Sequence, residues 1–436
     1  LEFEPGRTIN SYIGLPEEMV PADLDDDGDI DLAISSGRKR SVLLFENKGG
    51  GKLEQASLWE GLAGETIHGI ADFDTDGIPD LILSAAPDAG EQVELKILFG
   101  NGLDGYGPRE KSLGSFAEHT LRTDVADVDV SGKPDVITGD LTLIDPGRDQ
   151  PLEVVTSHAE FVFNPGPHRW ADINADGLPD VLLCQQGAIY YARNEGGGVF
   201  SGNFPLFWSS ASGVHDVRVE DIHFISDSHL PEGHGFIVVL TDMNTEDQRL
   251  SLVGYGEDGM EEFHSLPIGH ASERSGTWFN GFTSTPGKPL LAALFDWSIL
   301  PILPEYPFSS TRGSVLEISH TFRRNKPVLV KKTRLSFQGG AGPLVHADLN
   351  GDSNDELVTA GWRDGDTSSG QLRYYPGKRN GSFATKPVVV TAPATDDIAT
   401  HVTDFEGDGD QDLIGRGISL ANHSTEIVLW ENLGTG

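Results

Sequence analysis

The stretch Asp72-Phe73-Asp74-Thr75-Asp76-Gly77-Ile78-Pro79-Asp80 sets carboxylates at the first, third, fifth and ninth positions of a loop turned at Gly77. It then runs straight into apolar Leu81-Ile82-Leu83. The pattern recurs as Asp23, Asp25, Asp27, Gly28 and Asp31, and as Asp172, Asn174, Asp176, Gly177 and Asp180. Altered copies hold Asp127, Asp129, Gly132 and Asp135; Asp348, Asn350, Asp352 and Asp355; and Asp404, Glu406, Asp408, Gly409 and Asp412. Ser131 takes the third ligand position of one altered copy, and Ser353 stands where another lacks the glycine. Oxygen ligands at this spacing around a tight turn suit a hard cation, calcium first. An EF-hand would add flanking helices and a glutamate at the twelfth position, and the sequence has neither.

Around each loop lie short apolar runs bounded by Gly, Asn and Asp, which read as strands. Thr66 to Ala71 precedes one loop, Asp80 to Ser84 follows it, and third runs such as Val42 to Asn47, Ala188 to Asn194 and Ile427 to Asn432 come next. A glycine-rich turn and a more polar fourth run close the unit, as at Asn194 to Phe200. Four strands in a repeat of roughly 40–60 residues is the pattern of a β-propeller blade.

These residues resemble the FG-GAP or VCBS-type repeats of integrin α-subunit propellers, of several lectins and of propeller polysaccharide lyases. The resemblance implies an all-β propeller of four-stranded antiparallel blades, with a calcium loop between the first and second strand of each blade. It also implies a groove in which lyases of the ulvan, rhamnogalacturonan or rhamnose–glucuronate type use His, Tyr and Arg. Motifs start at 23, 72, 127, 172, 348 and 404, and the long gap has room for degenerate units at Val219 to Ile222 (near 221) and Trp278 to Phe282 (near 280). The expectation is eight blades in a single domain over residues 1–436, or seven if one weak unit is an insertion. Leu1 to Ile9 is expected to supply the last blade's fourth strand.

The formal charge of −37 argues against nucleic acid, whose phosphates need a basic surface. Cys184 alone excludes an internal disulfide framework. The most apolar stretch, Leu290 to Pro304, is broken by Asp296 and prolines, so no membrane span is expected. Calcium loops fill readily where calcium is millimolar, so a secreted, periplasmic or cell-surface monomer is expected.

Ten-residue windows before the motif starts contain His68, His119, His168, His215, His270, His346 and His401. Most sit at even spacing from the first aspartate, which places them on one face of a strand. Such imidazoles either fill the interior or serve as acid and base; the set also admits a transition metal such as zinc. Second-to-third strand loops are read to carry Arg38, Lys39, Arg40, Arg148, Arg312, Arg363 and Arg416, near Trp297, Tyr306 and Trp362. The longest of them, Asp296 to Gly313, reads as a wall or lid.

Two functions follow. One is a lyase cleaving an anionic, uronic-acid-containing polysaccharide by β-elimination. Here His168 and His119 act as base or acid with His215 behind them, and Arg363 or Arg38 clamps the carboxylate. His68, His346, His401, Arg148, Arg312, Arg416, Trp362 and Trp297 would bind substrate. The other is a non-catalytic carbohydrate- or protein-binding propeller.

Overall fold

The computed structural model describes residues 7–13, 18–36, 41–61, 65–85, 92–117, 123–158, 168–172, 176–185, 188–201, 204–208, 217–226, 230, 234–242, 245, 247–256, 259–270, 275–283, 290–299, 308–323, 326–338, 344–363, 366–379, 383–392, 400–418 and 425–434. The protein is an all-β propeller, and the described residues contain no helix. Their strands form eight four-stranded antiparallel sheets. In chain order the sheets span residues 18–60, 65–117, 123–156, 168–208, 217–270, 275–338 and 344–392, and the eighth spans 400–430. Its outermost strand is Arg7–Ile13, paired Arg7 to Leu429 and Ile13 to Thr425. The N-terminal strand Arg7–Ile13 therefore completes the last sheet; residues 1–6 of the expected Leu1 to Ile9 lie outside the described set.

Contacts divide the chain into two compact units: Gly14–Trp208 with Phe405–Gly407, and Leu1–Ile13 with Ser209–Asp404 and Asp408–Gly436. Inside each unit, neighbouring sheets pack face to face. Strand Asp80–Ala85 shows why its sequence is apolar without alternation. Leu81 and Leu83 pack with Ala33 and Leu44 of the first sheet, while Ile82 packs with Val136 and Leu143 of the third. Both faces of the strand are buried, so every position is apolar. Ile137 and Ile144 likewise meet Val181 and Leu183 of the fourth sheet. In the other unit, Ile237 and Leu252 pack on Leu316 and Ile318, and Val358 and Tyr374 on Leu413 and Trp430.

The two degenerate units each begin a four-stranded sheet. Residues 219–222 lie within strand Val217–Ser226 and residues 278–282 within Ser275–Thr283, so neither is a loop. With no Asp-Gly turn to stop them, these strands run on, each with one bulge, at Val219/Asp221 and Phe279/Phe282. Asp296 to Gly313 is also mostly strand: Leu290–Ile299 pairs with Phe308–Arg323, with Asp296 opposite Arg312. Only residues 300–307 connect them, and these lie outside the described set.

Polar stitches join sheets within a unit. Asn194 Nδ2 donates to Val128 O at 2.7 Å and to Pro179 O at 3.1 Å. Asn432 Nδ2 donates to Leu349 O at 2.8 Å, and Asn47 Nδ2 to Phe405 O at 2.5 Å. The acceptors Val128, Leu349 and Phe405 are each the second residue of an aspartate loop. Where the neighbouring sheet has no such asparagine, a glycine lets backbone approach the same carbonyl. A Cβ on Gly102 would lie 2.4 Å from Leu24 O, and one on Gly147 2.8 Å from Phe73 O.

Asn194→Ala removes both donors and leaves two carbonyls without them. The expected loss is about 2 kcal/mol in chemical denaturation, and a loss below about 0.5 kcal/mol would show that the stitch is incidental.

Candidate functional site

The aspartate loops are built by the chain itself. Their first aspartate accepts the N–H groups of the fifth and sixth residues: Asp72 from Asp76 (3.2 Å) and Gly77 (2.9 Å), Asp404 from Asp408 (3.2 Å) and Gly409 (2.8 Å). The fifth residue accepts from the seventh, as in Ile78 N to Asp76 Oδ1 at 2.9 Å. This winding puts the fourth residue in left-handed backbone: Asp26, Thr75 and Val130 lie at φ 62°, 60° and 62°. Ser353 takes the glycine's place at φ 67°. For β-branched Thr75 and Val130 the conformation costs roughly 1–3 kcal/mol each.

The ninth residue is buried under the loop. Asp31, Asp135, Asp180 and Asp412 are fully buried, and Asp80 nearly so. One oxygen accepts the second residue's N–H: Leu24, Phe73 and Val128 donate at 2.8, 2.8 and 2.9 Å. The other accepts from the end of the third strand, where Asn47, Gly100, Asp145, Asn194 and Asn432 donate at 2.7 to 2.8 Å. Burial pushes Asp80 up to about 7 and Asp135 up to about 6 against the pull of these donors.

In the seventh sheet the ninth residue is Glu356, which accepts from Leu349 (3.0 Å) and Gly377 (3.3 Å). Asp355, read as the ninth ligand, is the eighth residue and pairs instead with His346, Nε2 to Oδ2 at 3.3 Å.

Asp23, Asp25 and Asp27, then Asp72, Asp74 and Asp80, then Asp127, Asp129 and Asp135 each bring their oxygens within 4.8 Å of one another. Both oxygens of Asp74 and Oδ1 of Asp348 are buried without a hydrogen-bond partner. Orphaned carboxylate oxygens in an all-oxygen donor set fit a hard cation. A backbone-bonded ninth carboxylate keeps lone pairs for the same ion. Ser131 donates its hydroxyl to Asp145 Oδ1 at 2.9 Å, which adds a carboxylate where the third loop lacks one. Asn174 lies outside the described residues. Asn350 and Asp352 are tied within their own loop, Asn350 Nδ2 to Glu356 at 3.3 Å and Asp352 N to Asn350 Oδ1 at 2.9 Å.

The described histidines do not gather. His68 Nε2 meets Ser84 Oγ at 2.9 Å, His346 packs edge-on to Phe383, and His168 Nε2 meets Asp124 Oδ2 at 2.7 Å. Among the described residues no cluster of metal-binding type contains a histidine. Trp170 Nε1 donates to the same Asp124 oxygen at 2.9 Å. Burial raises Asp124, yet the bonds from His168 and Trp170 outweigh it and hold the carboxyl below its ordinary range. Arg169 Nη1 donates to the His168 carbonyl at 3.0 Å. Asp124, Arg169 and Trp170 were not singled out in the sequence. The alternation of the first strand could have marked Asp124, three residues before its loop.

His119, His215 and Arg38 lie outside the described residues. Of His401, Arg312, Arg363, Arg416, Trp297 and Trp362 only the backbone is described. Arg363 pairs with Asp366 at a second-to-third connection, as read, whereas Arg312 and Trp297 lie inside strands. His270 ends the outer strand Gly259–His270 and is not part of a first strand. Arg148 is also displaced from its reading. The second-to-third turn of its sheet is only residues 139–140, because Thr138 pairs with Leu141. Arg148 therefore lies between the third and fourth strands, where its Nη1 stands 3.3 Å from Asp74 Oδ2.

Residues 23–83 and 348–415 match the FG-GAP-like repeat family. The chain carries FG-GAP-like repeats. A comparison with curated proteins gives no match. Among solved structures the chain is similar to an Agrocybe aegerita lectin that recognises non-reducing terminal N-acetylglucosamine. That likeness has 14% identity, 92% of this chain and 88% of that one covered, and a TM-score of 0.41. It is also similar to the V. cholerae biofilm matrix protein Bap1, with 11% identity, coverage of 99% and 91%, and a TM-score of 0.45. The FG-GAP-like match takes in the loops of the first, second, seventh and eighth sheets, and the third and fourth loops share their hydrogen bonding.

Burial pushes His68 below the ordinary histidine value. The unfolded chain then takes up the proton more readily, so the stability that His68 contributes is present above that value and lost as pH falls through its folded pKa. His68→Asn is expected to flatten the fall in melting temperature between about pH 7 and pH 5. Parallel melting curves for the two proteins would refute this.

Proposed function

We propose that this FG-GAP-type propeller holds calcium in its loops and acts on a uronic-acid-containing polysaccharide, abstracting a proton at His168 in a β-elimination. The observation that carries the reading is the His168–Asp124 pair, 2.7 Å apart, with about a quarter of each side chain exposed. A carboxylate that fixes the orientation of an imidazole is the arrangement in which histidine accepts and returns a proton. His119 and His215 stay as candidates for the partner acid. Arg169, exposed beside His168, joins Arg363 and Arg38 as a candidate for the substrate carboxylate. The same reading puts the protein where calcium is millimolar: secreted, periplasmic or at the cell surface, as a monomer in one propeller domain. Its blades number eight if every sheet stands in the ring and seven if one of the two loop-less sheets stands outside it. Class averages from electron microscopy count them.

A second reading, a non-catalytic carbohydrate- or protein-binding propeller, is favoured by one observation. His68, His168 and His346 each keep a separate partner instead of converging.

Ultraviolet absorbance of the unsaturated uronate separates the two, on a panel of acidic glycans with calcium present. The lyase reading expects rising absorbance on one glycan, lost in His168→Gln while that variant still binds it. A flat trace across the panel, with glycan retained on the protein, overturns the lyase and supports the binder.

Chelation tests the loops separately. Each loop that is filled at a hundredfold excess over its dissociation constant contributes about 2.7 kcal/mol, so chelator is expected to lower the melting temperature by several degrees. An unchanged melting temperature removes calcium from the account.

A further inference from the structure

The second loop already has a cation in place, supplied by the chain. Arg148 Nη1 stands 3.3 Å from Asp74 Oδ2, and the Asp74 side chain is only 7% exposed. Both Asp74 oxygens lack a hydrogen-bond partner, and one of them lies within 4.8 Å of an oxygen from each of Asp72 and Asp80. The arginine is held there by several independent contacts. Its guanidinium lies over the Phe99 ring at 5.9 Å. Lys111 Nζ ties down the turn on both sides of it, donating to Gly147 O at 2.6 Å and Gln150 O at 2.8 Å. Gly147 lies against Phe73 O so closely that no side chain fits between. A second partner is within reach, because Arg148 Nε stands 3.5 Å from exposed Asp149 Oδ2. Between the loop and the turn a cleft of about 140 Å³, bordered also by Lys133 and Asp145, gives the guanidinium room to move.

We infer that Arg148 is the resident counter-cation of the second loop, and that a divalent ion enters only by displacing its guanidinium from Asp74 toward Asp149. Two cations on one buried carboxylate repel each other, so the ion and the arginine compete. The second loop is then held back in affinity relative to its own donor set, and its filling is coupled to release of a guanidinium into the cleft. This rests on the loops being cation sites.

Calcium titration of the full chain by calorimetry tests the inference. Asp74→Asn identifies the class of sites that belongs to the second loop. In Arg148→Gln that class is expected to tighten about tenfold, and in Arg148→Lys to stay near the parent value. Melting gives a second readout: Arg148→Gln is expected to fall below the parent in chelator and to match it in saturating calcium. Unchanged or weakened binding in Arg148→Gln, or an equal melting loss with and without calcium, makes Arg148 a structural or assisting residue and overturns the inference. No calcium uptake by the parent protein overturns the cation reading itself, and this inference with it.

Discussion

A buried carboxylate that accepts two backbone N–H groups is the interaction on which the repeats depend. At Asp31, Asp80, Asp135 and Glu356 the ninth residue sits beneath its loop and joins two pieces of backbone that are distant in sequence, the start of the loop and the end of the third strand. In the second sheet Asp80 joins Phe73 to Gly100, twenty residues downstream. Neither N–H has a ladder partner at that point, and a buried donor left unpaired costs roughly 1–3 kcal/mol. One side chain therefore satisfies two donors and fixes how the loop leaves the sheet. The same carboxylate adds to the acidic cluster above it. Its upward shift at Asp80 and Asp135 reflects a charge that burial disfavours and that a cation would relieve. Stability of the turn and appetite for an ion have one source.

From that fixed loop the packing between sheets follows. The second residue of the loop faces two ways: its N–H goes down to the ninth carboxylate, and its carbonyl points to the neighbouring sheet. There it is met by Asn47, Asn194 or Asn432, or by the backbone at Gly102 or Gly147. The asparagine ends the third strand, and its own N–H is held by its own sheet's ninth carboxylate. A sheet with such a residue is thus held to another sheet's loop while it holds its own. In the third sheet this place is taken by Asp145, and there the approach is made by Gly147. That substitution leaves the following turn free to carry Arg148 to Asp74.

Much of this was legible in the sequence, because the loop is a local device whose spacing and turn chemistry are written in consecutive residues. The strands on either side were legible for the same reason, since the loops mark where they begin. What escaped depended on partners far away in the chain. Asp355 looked like the last ligand because aspartate recurs at that end of the motif. Counting from Asp348 gives the ninth place to Glu356, and the hydrogen bonds from Leu349 and Gly377 agree with the count. Arg148 was misplaced because the third sheet has strands of four residues and a second-to-third turn of only two, so the third strand has already ended before Arg148 is reached. The histidines were read as one set from their position along the strands. Their partners Ser84, Asp124 and Asp355 belong to three different surroundings, which spacing does not encode.

The fifth and sixth sheets show what happens when the loop is lost. Without a ninth carboxylate to pin the hairpin, the backbone finds its hydrogen bonds in longer ladders. Strands there run 9–16 residues, against four residues throughout the third sheet. A short strand forms few ladder bonds and leans on its loop, whereas a long one holds its own register through many pairs. Loop and ladder are alternative ways of meeting the same backbone requirement. The sheets that kept the loop keep with it a cluster of carboxylates whose charge must be answered by an ion, by a proton or, at Asp74, by an arginine of the next sheet.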